Sequence, residues 1–125
     1  MKLTQLPNEY AVARAGPATP VPPGFLSGAG FLTVSRTEDE LSLVGPAATI
    51  TGMDVVETGW AAFKVQGPFA FDEVGIVASL SSALAERQIG IFVISTFDTD
   101  YILVKQENAE AAKAAWREDG HEVAT

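Results

Sequence analysis

The chain is 125 residues long, 47% hydrophobic and 19% charged, which is apolar material enough for one compact domain or two very small ones. Eight Lys and Arg against sixteen Asp and Glu leave a formal charge of −8, and such a surface repels phosphate backbones and anionic lipids, which argues against nucleic-acid and membrane partners. With no bilayer-length apolar run, no secretory signal and no cysteine, the expectation is a soluble cytoplasmic protein without disulfides, thiol nucleophile or cysteine-ligated metal.

In chain order, Tyr10 to Arg14, Phe31 to Ser35 and Leu41 to Val44 read as strands. Residues 16–30 hold four Gly and four Pro, a composition that argues for an ordered loop over a helix. Gly45 to Asp54 shows no helical stripe either. From Trp60 the pattern sharpens. Ala61, Phe63 and Val65 alternate along a half-buried strand that Gly67-Pro68 ends. Asp72 is placed to cap a helix running to about Gln88, with Val77, Leu80 and Leu84 as its inner stripe and Val74, Ile76 and Ala83 at the margins.

Gly90 lies in the next connection, and Ile91 to Ser95 is a continuous β-rich run suited to a central strand. Phe97-Asp98-Thr99-Asp100 has turn chemistry, and Tyr101 to Lys105 returns as the second arm of a hairpin. Asn108 is placed to cap a helix over Ala109 to Asp119, with Ala112, Ala115 and Trp116 inward and Gly120 as its left-handed stop. His121-Glu122-Val123 forms a short last strand. The order is β-α-β-β-α-β, the split βαβ or ferredoxin-like arrangement of an α+β fold.

An internal echo bears on the first half. Ser35 to Val44 aligns without gaps with Ser95 to Val104, sixty residues on, and both segments read strand, acidic turn, strand. This predicts two related units, residues 1–58 and 59–125, the first β-rich with its helices reduced to loops.

Gly67-Pro68-Phe69, Asp72-Glu73-Val74-Gly75-Ile76-Val77-Ala78, Ile89-Gly90-Ile91 and the hairpin from Ser95 to Val104 together resemble an ACT domain. The closer likeness is to the branch containing the aspartate kinase regulatory domains and the cytosolic arginine sensors of animals. Thr37 to Val44 is similar to the matching element of that branch's preceding ACT unit. The resemblance implies a stand-alone tandem ACT, a regulatory module and not an enzyme. It would bind a small effector, an amino acid first, at the seam between units, and would work as a homodimer without a cofactor.

An amino acid offers a carboxylate, an ammonium and a side chain. The helix opening at Asp72, Glu73, Val74, Gly75 and Ile76 presents free backbone N–H groups and a positive dipole end to the carboxylate. Asp98 and Asp100 supply acceptors for the ammonium, Ser95 and Thr96 add hydroxyls, and Asp39 and Glu40 on the first unit's acidic turn would complete the pocket.

Each assignment has a plainer rival. Asp72 can be a helix cap and no more, Gly75 can serve packing, and Asp98 and Asp100 can be turn formers. Trp60 and Trp116 read as core or interface anchors. His121, the sole histidine, reads as a solvated side chain. Glu38-Asp39-Glu40 lacks the spacing of a calcium loop, so no metal is expected, and no GxxxxGK pattern supports nucleotide binding. Two other functions stay in play: an ACT-like dimerisation or docking module that binds no ligand, and, ranked last, a small enzyme using the acidic turns.

Overall fold

The computed structural model describes residues 1–66 and 75–124. Its strands are β1 (Lys2–Gln5), β2 (Tyr10–Ala15), β3 (Thr33–Arg36), β4 (Leu41–Pro46), β5 (Val55–Val65), β6 (Phe92–Ser95), β7 (Asp100–Lys105) and β8 (Glu122–Ala124). Its helices are α1 (Ile76–Ala85) and α2 (Ala109–Glu118), with 3-10 turns at Phe25–Ser27, Ala47–Thr49 and Gln106–Asn108. The chain divides into two compact units, Asn8–Trp60 and Met1–Pro7 together with Ala61–Thr125.

The second unit carries the sequence-predicted β-α-β-β-α-β order from β5 to β8. In its sheet β6 pairs β7, β7 pairs β5, β5 pairs β1 antiparallel, and β1 pairs β8 parallel. This is the ferredoxin-like order with one strand added. The addition is β1, from the other end of the chain, seated between the first and last strands of the motif. Leu3 stands opposite Val65 on one side and Val123 on the other. Nothing in Lys2-Leu3-Thr4-Gln5 announces this, because four residues are too short to show a period.

The core of this unit follows the predicted faces. Phe63, Val65, Ile102 and Val104 from the sheet meet Leu80, Ala83 and Leu84 of α1 and Ala112, Ala115 and Trp116 of α2. Trp116 is fully buried, its ring edge-on to Phe63 at 5.1 Å and 79°, and its indole Nε1 donates to the Leu80 carbonyl at 3.0 Å. The aromatic pair thus supplies large apolar contact while the one polar atom of the indole is satisfied. Ala83 and Ile76 belong to the inner stripe of α1, which the sequence reading had placed at its margin, while Val77 is half-buried.

Both helices end on left-handed residues. Gly120 (φ 89°) closes α2, and the His121 amide reaches back to the Trp116 carbonyl at 2.9 Å. Gln88 (φ 57°) does the same for α1, with Ile89 N–H on Leu84 O at 3.0 Å. These are six-residue closures of the Schellman kind. Two local expectations need correction. The regular part of α1 stops at Ala85, short of Gln88, because the chain turns out through this closure. Asn108 makes no side-chain cap; it ends the 3-10 turn Gln106–Asn108, whose geometry leads straight into α2.

In the first unit the strand order is β3-β4-β2-β5, all antiparallel neighbours. Numbered along the unit, this is second, third, first, fourth, the same order as in the second unit once β1 is set aside. The two connections that carry helices there carry only the 3-10 turns Phe25–Ser27 and Ala47–Thr49 here. Phe25 fills the space a helix would occupy, packing with Ala11, Ala13, Leu41, Leu43 and Ile50. Gly45 admits it: a Cβ at that position would lie 3.0 Å from the Leu32 side chain and 3.2 Å from the Phe25 ring. The Arg36 guanidinium holds the Gly/Pro loop from outside, donating to the carbonyls of Pro17 and Thr19.

The hairpins of the two units match, but one residue away from the gapless alignment. Arg36 pairs with Leu41 before a four-residue turn, as Ser95 pairs with Asp100. Thr37 therefore corresponds to Thr96 and Leu43 to Ile102, not to Phe97 and Leu103. Core facing agrees, since Leu43 and Ile102 each point into their unit's core. A slip of one residue exchanges the two faces of a strand, so facing decides the register.

Candidate functional site

The acidic turn of the second unit is built by hydroxyls. Thr96 N–H donates to the Thr99 carbonyl at 2.8 Å, and the Thr96 hydroxyl donates to that same carbonyl at 3.1 Å while Thr99 N–H points to the Thr96 hydroxyl at 3.4 Å. The matching turn repeats the device. Thr37 N–H donates to Glu40 O at 2.9 Å, and the Thr37 hydroxyl accepts from the amides of Asp39 and Glu40 at 3.1 Å each. A threonine hydroxyl thus replaces the backbone partners that a short turn lacks. Asp98, Asp39 and Ser95 are left exposed, while Asp100 and Glu40 are half-buried at the strand starts.

Two contacts tie the second turn down. The Ser95 hydroxyl donates to Asp100 Oδ1 across the last strand pair, which orients that carboxylate. The Thr99 hydroxyl, buried, donates to the backbone carbonyl of Val65 at the end of β5. The turn is therefore anchored at the end of the sheet from which the chain leaves β5 towards α1.

At the opening of α1, Gly75 adopts φ 81° and supplies no side-chain cap. This left-handed conformation suits glycine, and among the described residues no heavy atom beyond its chain neighbours lies within 4 Å of where a Cβ would be. The Gly75 carbonyl accepts from Ser79 N–H at 2.8 Å. Asp72, Glu73 and Val74, expected to continue this opening, lie outside the described residues. Of the predicted site residues the structure brings Ser95, Thr96 and Asp100 into one bonded turn with Asp98 at its tip. Gly75 and Ile76 stand at the α1 opening, and Asp39 and Glu40 belong to the other unit.

Sequence reasoning missed Thr99, whose acceptor is 34 positions away in the chain. The available signal was the shared Thr-x-x-Thr and Thr-x-x-Glu spacing of the turns. It also left His121 in solvent. The ring instead lies between Met1, whose nitrogen is 3.2 Å from Nδ1, and Ser79, whose hydroxyl is 3.5 Å from Nε2. Burial first, and then the positive Met1 amine, hold the His121 pKa below its ordinary 6.5, against the opposing Asp119. A Ser-His pair that works as nucleophile and base needs a carboxylate on Nδ1, and here that nitrogen faces an amine.

A surface cleft of about 460 Å³ lies in the first unit, lined by Asn8, Glu9, Ala29, Pro46, Ala47, Ala48 and Thr49. None of the predicted ligand residues lines it. Two of its polar groups are already engaged: Glu9 Oε2 accepts from Gly59 N–H at 2.9 Å, and the Thr49 hydroxyl donates to Pro46 O at 2.7 Å. Among the described residues no group of His, Asp and Glu side chains could hold a metal ion, and no helix is long and apolar enough to cross a membrane.

Comparison with known proteins adds the lineage. The family model of the ACT domain matches residues 55–118, and a separate model of an N-terminal domain matches residues 8–52. The cytosolic arginine sensor for mTORC1 subunit 1 of Bos taurus is 34% identical over 89 residues, which is 65% of this chain and 27% of the sensor. The match thus spans about a quarter of that relative's length. A protein from Agobacterium tumefaciens has a solved structure with TM-score 0.89 and 42% identity, covering 98% of this chain and 90% of that one. The regulatory subunit of aspartate kinase from Thermus thermophilus, ligand-free, gives TM-score 0.66 at 12% identity over 93% of this chain and 95% of that one, a likeness of fold alone. With the strand order, the core and these matches in agreement, the chain belongs to the ACT domain family.

Proposed function

We propose that this protein is a non-catalytic regulatory module that binds a free amino acid in the cytoplasm and works as a homodimer. The observation that carries the reading is the buried Thr99 hydroxyl on Val65 O, which fixes the acidic turn at the end of β5 that leads on to α1. The ligand carboxylate would take backbone N–H groups at the α1 opening around Gly75 and Ile76; Asp72, Glu73 and Val74, also proposed as ligand residues, lie outside the described residues. Its ammonium would take Asp98 and Asp100, with Ser95 and Thr96 as neighbouring hydroxyls. Asp39 and Glu40 stand on the matching turn of the first unit, where they would offer acceptors of the same kind. The first unit, with its identical strand order, is read as an ACT-type unit that has lost its helices.

Arginine leads the candidates, because the curated relative is a sensor of arginine and a net charge of −8 favours a cationic ligand. A thermal-shift screen of the proteinogenic amino acids tests the proposal. A saturating ligand at about a hundred times its Kd raises stability by about 2.7 kcal/mol, a shift that is easily read. Stabilisation by arginine or another amino acid, lost in Asp100→Ala and Gly75→Trp, is expected. A flat response across the panel would overturn it in favour of a docking module, which the 77% exposure of Phe97 at the hairpin tip would suit.

A further inference from the structure

His121 sits where three elements of the second unit meet. It precedes β8, its Nδ1 faces the Met1 nitrogen ahead of β1 at 3.2 Å, and its Nε2 faces the Ser79 hydroxyl on α1 at 3.5 Å. Next to it, Glu122 N–H donates to the Met1 carbonyl at 2.8 Å, the first rung of the parallel ladder between β1 and β8. The Met1 nitrogen can only donate, so Nδ1 must be the acceptor and the ring proton must sit on Nε2, where it can be shared with Ser79. One neutral tautomer satisfies both contacts. No charged form does, because a protonated Nδ1 has no lone pair to offer Met1.

We propose that His121 is a pH-responsive latch that keeps the inserted strand β1 seated between β5 and β8. In its neutral form the ring holds the start of β1 against β8 and α1. Protonation removes the acceptor for Met1 and sets donor against donor, so the start of β1 loosens and the parallel rung at Glu122 loosens with it. Among the described residues, the charged groups facing the ring are the Met1 amine, which opposes protonation, and Asp119 at the end of α2, which favours it; α1 presents the uncharged Ser79. The consequence is a sheet whose last strands respond to mild acid while the hairpin β6–β7 does not. Strand β8 pairs into the sheet through β1, so a loosened β1 weakens that pairing while the Arg117 guanidinium on Val123 O still holds β8 to α2. The fold would then pass a proton signal from one edge of the ACT sheet into its interior order.

Amide hydrogen exchange on the intact chain tests this. Protection factors, corrected for intrinsic exchange, should fall several-fold for amides of β1 and for Glu122 between pH 7.5 and 5.5, with those of β7 unchanged. His121→Gln should remove the pH dependence. If that variant does not fold, the ¹⁵N shifts of the imidazole in the natural protein decide: the Nε2–H tautomer at pH 8 is required. Equal loss of protection in β1 and β7, an unchanged slope in His121→Gln, or an Nδ1–H tautomer would each overturn the proposal.

Discussion

The Thr99 hydroxyl spans from the tip of the β6–β7 hairpin to the backbone carbonyl of Val65, joining the acidic turn to the last residue of β5. Thr99 is only 7% exposed, so the acceptor it serves has little access to water. Thr99→Val keeps the shape and removes the donor. The expected cost is about 1–2 kcal/mol, because a buried carbonyl loses its partner. Thr99→Ser should retain most of the stability. Urea unfolding followed by circular dichroism separates the two, and a Thr99→Val protein as stable as the parent would show that the bond contributes nothing.

Gly45 lies so close to Phe25 and Leu32 that a methyl group would come within 3.0–3.2 Å of their side chains and force them to shift. Gly45→Ala should therefore destabilise the first unit by about 1–3 kcal/mol through overpacking. Pairing Gly45→Ala with Phe25→Leu should recover part of the loss, since the smaller side chain makes room. Additive losses in a double-mutant cycle would contradict this account.

Trp116→Phe removes both the indole donor on Leu80 O and part of the volume that fills the space between α1, α2 and Phe63. About 2–4 kcal/mol is expected, with the larger share from the void. The fluorescence of Trp60, the other tryptophan, then reports unfolding in the variant directly.

Lys113, whose side chain is largely buried on α2, donates from its amine to Glu110 Oε2 at 2.8 Å. That hydrogen bond first, and then the charge of Lys113, hold the Glu110 carboxyl below its ordinary 4.5. A depressed carboxyl contributes stability that is present above pH 4.5 and lost as pH falls through the folded-state value. Glu110 is fully exposed, so the contribution is small and is best read by carbon-13 titration. In Lys113→Met its pKa should rise towards 4.5; an unmoved titration curve would show that another group holds it.

Much of this was legible in the chain itself, and the exceptions have physical causes. The second unit could be read because Ala61, Phe63 and Val65 alternate and because Trp116 stands at helical spacing from Ala112. Each pattern is local and repeats. The ACT likeness rested on the same stretch. The seat of β1 could not be read, since its partners Val65 and Val123 are remote and its four residues carry no period of their own. The hairpin echo was visible, but its register was one residue out: matching Ser35 to Ser95 and Val44 to Val104 follows residue identity, whereas the turn is set by Thr37 and Thr96. Side-chain identity and backbone position need not agree when a polar residue shifts face. For the candidate site, Ser95, Thr96, Asp98 and Asp100 could be grouped because they are contiguous. Thr99 and His121 escaped because their partners, Val65, Met1 and Ser79, are brought near only by the fold.

The pairing of Lys2 with Glu122 has a consequence for how the protein is made. A ribosome delivers β1 and β5 well before β8, so β1 can pair with β5 long before its parallel neighbour exists. A contact of such sequence separation carries a large loop-closure cost and tends to form late. The first unit, Asn8–Trp60, is complete well before that and can fold while β1 is still untethered. The ACT sheet is therefore completed last at β8: a chain stopped before it leaves β1 paired with β5 on one side and open on the other.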